Sequence, residues 1–310
     1  FLRDIPELTE LLPHAIAYHG SVDDDGHFKE RMKLFGGILV PLKEKAAYTL
    51  AAYLNNFHHG DEVKVFDVGS GLNAKGVSGT GKYLSEGKRM KVVAADVTGS
   101  LLEAMVEKRD SGDPEIAENV DVDDVRYLDL TGDLGRVRGK DWRAYDVFSA
   151  SLVLHQLRDR YEGEEELKKV MRFAAAVLKP GGVIHLPSVG DAAYLQYAVI
   201  PGNLVDFEGS LPRDLFARLE FVDVCSRSDM YGNVQVPYPL ELLDNMVPSL
   251  VGGDGIYQYN MYVMLNVPME LVYEMDQLKR EGDYAALSEL VSRHVDINNI
   301  QERIGSQAFA

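Results

Sequence analysis

Two acidic residues, each at the end of a short apolar run, carry the first hint of chemistry. Residues 63–71 read Val-Lys-Val-Phe-Asp-Val-Gly-Ser-Gly, and residues 91–96 read Lys-Val-Val-Ala-Ala-Asp. Brief Val-rich runs of this kind read as strands buried on both faces. The first breaks into glycines just after Asp67, and a turn built on Gly69 and Gly71 lets a ligand approach the backbone. Asp96 closes the second run, where a carboxylate can accept hydrogen bonds from ribose hydroxyls. The pair points to a nucleoside-bearing cofactor at the C-terminal ends of parallel strands.

The elements that would position these residues alternate between strand and helix over residues 61–190. Strands are expected at Val63–Phe66, Lys91–Ala95, Val125–Leu128, Tyr145–Ser149 and Gly182–Ser188. Between the second and third, Ser100-Leu-Leu-Glu103 has the capping-box pattern, at the head of a helix over Leu101–Lys108. Leu167, Val170, Met171, Ala174 and Leu178 form one apolar helical face, and Lys179-Pro-Gly-Gly182 then turns the chain into a strand. Repeated strand–helix units imply parallel strands joined by right-handed crossovers in a doubly wound sheet.

Residues 1–60 read as an N-terminal helical extension. One apolar stripe runs through Ile5, Leu8, Leu11 and Leu12, and a second through Leu42, Ala46, Leu50, Ala51 and Leu54. A solvated loop, Asp23-Asp-Asp-Gly-His27, separates them. Residues 61–268 form the α/β domain, with further strands at Glu220–Ser226 and Tyr259–Val267 and an insertion at about 228–257. Residues 269–310 form a C-terminal helical tail, broken at Gly282-Asp283.

The order of these pieces resembles the class I S-adenosylmethionine-dependent methyltransferases, well over residues 60–190 and loosely over 191–268. The matching markers are Asp67-Val-Gly-Ser-Gly71 after the first strand, Asp96 at the end of the second and Asp129 in Tyr127-Leu-Asp-Leu130 after the third. They continue with Tyr145-Asp-Val-Phe-Ser-Ala-Ser-Leu-Val-Leu-His155 at the fourth strand and Leu178-Lys-Pro-Gly-Gly182 before the fifth. Each marker alone is weak; five in order are strong. The resemblance implies a mostly parallel, seven-stranded Rossmann-like sheet and S-adenosylmethionine as cofactor. It implies contact with that cofactor from Asp67, Gly69, Ser70, Gly71, Asn73, Asp96, Val97, Asp129, Leu130, Ser149 and Ala150.

The sequence departs from the family pattern in the glycine turn. Gly71 is followed by Leu72-Asn73 rather than a third glycine, and the stretch to Asp96 is several residues long for the family. The excess is expected as an extended glycine-rich loop over 73–81. Within it, Gly76-Val-Ser-Gly-Thr-Gly-Lys82 mimics a phosphate-binding loop, but Tyr83 stands where a small hydroxyl should ligate magnesium. The stronger rival is a dinucleotide oxidoreductase, whose third glycine would fall at Ala74. Asp67 ahead of Gly69 favours a cofactor with a positively charged end over one with a pyrophosphate.

His155 is the candidate catalytic residue, as a general base or a residue lining the substrate entrance. The alternative, which the residue type fits at least as well, is a helix-start histidine bonded to backbone. His185 lies in a strand and has a core-packing reading. His58 and His59 are adjacent and would point apart on a helix, so no metal site is expected. Tyr194, Tyr197, Tyr231 and Tyr238 are candidates for an aromatic substrate pocket. Tyr257, Tyr259 and Met261 alternate with Asn260, Tyr262 and Met264, a stripe that core packing also explains.

Composition narrows the partners. A net charge of −17 repels phosphate backbones, so nucleic acid is disfavoured and a small-molecule substrate is favoured. No run approaches the ~18 apolar residues of a membrane span. The start, Phe1-Leu2-Arg3-Asp4, lacks a signal-peptide pattern, and the lone Cys225 excludes an internal disulfide framework. A cytoplasmic protein is expected, with the C-terminal helices as a potential homodimer surface. In-line methyl transfer to a small molecule is the leading reading. An NAD(P)-dependent oxidoreductase and a non-catalytic methyltransferase-fold subunit remain alternatives.

Overall fold

The computed structural model describes residues 46–71, 74–112, 116–130, 139–151, 153, 164–189, 204–206, 215–224, 256–265 and 267–308. Helix α1 (46–57) leads into β1 (Glu62–Val68), α2 (Lys75–Gly81), β2 (Arg89–Asp96), α3 (Gly99–Ser111) and β3 (Val120–Tyr127). Then follow β4 (Tyr145–Ser149), α4 (Glu164–Val177), β5 (Leu178–Val189), β6 (Leu204–Asp206), β7 (Leu215–Val224) and β8 (Ile256–Met264). Helices α5 (Met269–Glu281), α6 (Tyr284–Ser292) and α7 (Ile297–Ala308) close the chain.

The strands form one sheet in the order β3-β2-β1-β4-β5-β8-β7-β6. Neighbours from β3 to β5 pair in parallel, and the remaining pairs are antiparallel. Six strands therefore run one way, with β8 and the short edge strand β6 reversed. This is the expected mostly parallel, doubly wound sheet, with β6 added at one edge. Chain order reverses between β1 and β4, and an open α/β sheet binds ligands at such a switch point, beyond the strands' C-terminal ends.

Apolar side chains pack on both faces of the sheet. On one face Val63, Val65 and Val92 meet Leu50 and Leu54 of α1, Val77 of α2, Met105 of α3 and Met275, Leu287 and Ile304 of the C-terminal helices. On the other, Phe66, Val93 and Phe148 meet Val170, Met171, Phe173 and Ala174 of α4. Phe66 and Phe148 both stand edge-on to Phe173, at 5.4 and 6.1 Å. Ala46, Leu50, Ala51 and Leu54 of α1 and Val170, Met171 and Ala174 of α4 are buried as the periodicity predicts, while Leu178 belongs to β5 rather than to the helix, and Leu42 and the Leu167 side chain lie outside what the structure describes. The break at Gly282-Asp283 is also as expected: Gly282 has φ 72° and Asp283 caps α6 by accepting from Ala286 N at 3.0 Å.

Four local expectations change. The glycine-rich segment is no extended loop, because residues 75–81 form α2, and its amides are used within the helix. Val77 N and Ser78 N both donate to Ala74 O, and Lys82 N donates to Gly79 O, which removes the phosphate-cradle reading. Gly81 permits close packing, since a Cβ there would lie 2.5 Å from Val120 Cγ2, whereas one on Gly79 would make an ordinary contact with Ala47 Cβ at 3.4 Å. Second, α3 starts at Gly99 with Thr98 at its N-cap and no side-chain cap bond, so Ser100 lies inside the helix and the capping box does not form.

Third, β3 begins at Val120, five residues before the expected start. It is an edge strand, and Val120-Asp-Val-Asp alternates buried and exposed, so its acids face water. Fourth, Lys179-Pro-Gly-Gly182 does not separate helix from strand. Tyr145 pairs with Leu178 and Val147 with Val183, so these four residues bulge out within β5, with Gly181 at φ 80°. The later strands also run a few residues N-terminal to their expected spans, at Leu215–Val224 and Ile256–Met264.

Among the described residues, no helix is long and apolar enough to cross a membrane, and no three His, Cys, Asp or Glu residues could hold a metal ion.

Candidate active site

The chain leaves β1 through a turn that only glycine accommodates easily. Gly69 and Gly71 have φ 62° and 63°, with Ser70 between them. At Gly69 a second constraint applies, since a Cβ there would lie 2.0 Å from Val153 Cγ2. The segment after β4 therefore presses directly on the turn after β1. Ser70 is buried, and both its N–H and its hydroxyl donate to Ala95 O, at 3.2 and 3.3 Å. Ala74 then takes the left-handed conformation at φ 43°, fully buried, just before α2.

Asp96 fastens this turn to the next strand. Its Oδ2 accepts from Gly71 N at 3.0 Å and its Oδ1 from Thr98 N at 2.9 Å. Its carbonyl accepts from Leu128 N at 3.0 Å, which draws in the segment after β3. A carboxylate offers about four lone-pair sites, so two backbone donors leave acceptor capacity for a ligand's hydroxyls. The sequence suggested ribose binding; the structural clamp is an additional role that spacing alone did not reveal.

Asp67 is buried beside Ser149, its register partner on β4, and Ser149 in turn pairs with His185 on β5. Ala150 N donates to His185 O at 3.0 Å. The Ser149 and Ser151 hydroxyl oxygens are buried and have no hydrogen-bond partner among the described residues. Buried hydroxyls normally find one, so these two, at and just past the end of β4 beside the switch point, suit a polar ligand. Val97 and Asp129 are half-buried and Leu130 is buried, all just beyond the ends of β2 and β3.

Of the residues expected at the site, Asp67, Gly69, Ser70, Gly71, Asp96, Val97, Asp129, Leu130, Ser149 and Ala150 lie at the C-terminal edge of β1–β4. Asn73, His155, Tyr194, Tyr197, Tyr231 and Tyr238 lie outside the described residues, as does nearly all of the insertion at 228–257. His185 is fully buried in β5, in keeping with its core reading. Val153, Thr98 and Tyr127 were not anticipated. Tyr127 had a signal, as the large aromatic two residues ahead of Asp129.

A second polar cluster occupies the opposite end of the strands. Asp146 is the second residue of β4 and is buried; its Oδ2 accepts from Lys64 N at 2.8 Å, and its Oδ1 from Lys179 Nζ at 2.7 Å, with His58 Nε2 at 3.5 Å. Burial is the largest influence and favours the neutral acid. The contacts from His58, Lys179 and Lys64 together outweigh it and hold the carboxyl below its usual value. Tyr53 Oη donates to Gly181 O at 2.8 Å, tying α1 to the same bulge. This cluster is far along the strands from the glycine turn and reads as structural.

No family model matches the chain, and no curated protein matches it by sequence. Solved structures do match. PKMT2 from Rickettsia typhi, in complex with AdoHcy, is 17% identical with a TM-score of 0.32, over 47% of this chain and 26% of that one. The CurJ carbon methyltransferase is 13% identical with a TM-score of 0.36, over 69% of this chain and 51% of that one. The chain thus spans about a quarter and about half of these two proteins. An O-methyltransferase from Bacillus cereus, in complex with SAH, is 13% identical with a TM-score of 0.42, over 83% and 98% of the two chains.

Proposed function

We propose that the chain is an S-adenosylmethionine-dependent methyltransferase acting on a small-molecule acceptor. The observation that carries this reading is the Asp96 clamp. A carboxylate held by two backbone amides, with lone pairs to spare, closes a glycine turn at the sheet's switch point. Two further family markers, Asp67 near the end of β1 and Asp129 just past β3, lie at the same edge of the sheet and support the reading; Lys179-Pro-Gly-Gly182 bulges within β5 at the opposite end of the strands and lends it nothing.

In this reading Asp96 accepts from the ribose hydroxyls, and the turn at Gly69–Gly71 faces the methionine end. Val97, Asp129 and Leu130 border the base. Ser149, Ser151 and Ala150 face the sulfonium side. The cofactor supplies an activated methyl group, so the protein's task is to align acceptor and sulfonium. A general base is required only if the acceptor must lose a proton, and His155 is the residue proposed for it. The net charge of −17 supports a small acceptor over a nucleic acid.

Asp96→Ala is expected to weaken S-adenosylhomocysteine binding by the loss of two charge-assisted hydrogen bonds, roughly 2–4 kcal/mol. Asp96→Asn, which keeps an acceptor for one of the two amides, should fold closer to wild type yet bind nearly as poorly. Dissociation constants for both variants, alongside their melting temperatures, check this. Unchanged affinity in folded Asp96→Ala would remove Asp96 from the ribose site.

A further inference from the structure

Side chains of register partners share a face of a sheet. One such row runs Ala94, Asp67, Ser149, His185 and Met261, from β2 through β1, β4 and β5 to β8. All five are buried. One layer further from the glycine turn, on the same face, the row reads Val92, Val65, Val147, Val183 and Val263. Valine throughout is what the buried face of a parallel sheet normally holds. Three adjacent polar residues directly over that layer are costly to bury. A core reading accounts for the burial of His185, but not for its place in line with Ser149 and Asp67.

Ser149 is the last residue of β4, and its hydroxyl, like that of Ser151, has no hydrogen-bond partner among the described residues. Neighbouring strands lie about 4.8 Å apart, so Asp67 and His185 stand roughly 10 Å from each other with Ser149 between them. Asp96 and the turn at Gly69–Gly71 belong to the β1–β2 side of the switch point, whereas Ser149 and His185 continue across it to β4 and β5. A cofactor held at Asp96 with its methionine end on the turn presents its methyl toward β4 and β5. A serine hydroxyl both donates and accepts, and a neutral imidazole carries one donor and one acceptor. An O–H or N–H nucleophile can bond to both residues. A carbon nucleophile would leave the buried hydroxyl unsatisfied.

We infer that Ser149 and His185 bind the nucleophilic group of the methyl acceptor, and that this group is a hydroxyl or an amine rather than a carbon. This rests on the methyltransferase reading above. The nucleophile's lone pair forms the bond to the methyl carbon, the carbon–sulfur pair returns to sulfur, and the nucleophile's proton passes to a general base or to water.

The probe is an S-adenosylmethionine analogue in which a carbon bearing an amine replaces the sulfonium sulfur and its methyl, so that the amine projects where the methyl does. Calorimetry gives its dissociation constant and that of S-adenosylhomocysteine, and their ratio cancels any loss the two ligands share. Ser149→Ala and His185→Phe should each lower the preference for the analogue about ten-fold. His185→Gln, which keeps a donor and an acceptor, should stay within about three-fold of wild type. Without ligand, Ser149→Ala should melt at or above the wild-type temperature, because the fold makes no use of that hydroxyl. An unchanged ratio in Ser149→Ala, or a lowered melting temperature, overturns the inference. So does failure of both His185 variants to fold, which returns His185 to the core. In each case the methyltransferase reading stands as long as wild type binds S-adenosylhomocysteine. If wild type binds neither ligand, both fall.

Discussion

Gly69→Ala should cost the protein roughly 2–5 kcal/mol of stability and, on the proposed function, abolish measurable S-adenosylhomocysteine binding. Two independent penalties meet at this residue. A left-handed conformation at φ 62° costs an alanine about 1–2 kcal/mol. The new methyl would also lie 2.0 Å from Val153 Cγ2, and no rotation at Gly69 relieves an overlap of that size. Either Val153 moves or the turn does, at a further 1–3 kcal/mol. Moving the turn also pulls Gly71 N away from Asp96. Pairing the change with Val153→Ala separates the terms, since it removes Cγ2 but leaves Cβ, at 3.2 Å. The double variant should regain the overlap part and retain the backbone part. Urea unfolding of the three variants measures this, and equal stability of Gly69→Ala and wild type would show that β1 does not enter the turn as described.

Asp146→Ala should be comparably damaging, by about 2–4 kcal/mol, although it lies far from the glycine turn. It leaves Lys64 N without its acceptor inside β1 and removes the partner of Lys179, which anchors the β5 bulge. The loss should depend on pH. The Asp146 carboxyl is held below its ordinary value in the folded protein, so the unfolded chain binds its proton first as pH falls. Its contribution is complete above the unfolded carboxylate pKa, about 4. It fades as pH drops through the lower folded value. The stability gap between wild type and Asp146→Ala should therefore be constant near neutrality and shrink below about pH 4. A gap that widened with acid would contradict the assignment.

How much of this could be read from the sequence depended on whether a residue's role was local. β1, β2 and β4 were legible because central parallel strands are apolar on both faces, and their acids sit where the apolar run stops. β3 was misplaced at its start because an edge strand tolerates Asp121 and Asp123 on its open side. Helix α2 was hidden by its glycines, which weaken helix propensity. At Gly81 the start of β3 lies too close for a side chain, a tertiary fact. The same holds at the site. The acids and glycines announced themselves by type and spacing. The pressure of Val153 on Gly69 and the pairing of Tyr127 with Asp96 arise only once β4 and β3 are laid beside their neighbours.

The central claim is that the turn at Gly69–Gly71 and Asp96 hold S-adenosylmethionine. Its most direct test is calorimetric titration of the wild-type chain with S-adenosylhomocysteine and, separately, with NADH. Saturable one-to-one binding of S-adenosylhomocysteine with no heat from NADH is the predicted result. Binding of NADH with none of S-adenosylhomocysteine would contradict it and make the glycine turn a dinucleotide site.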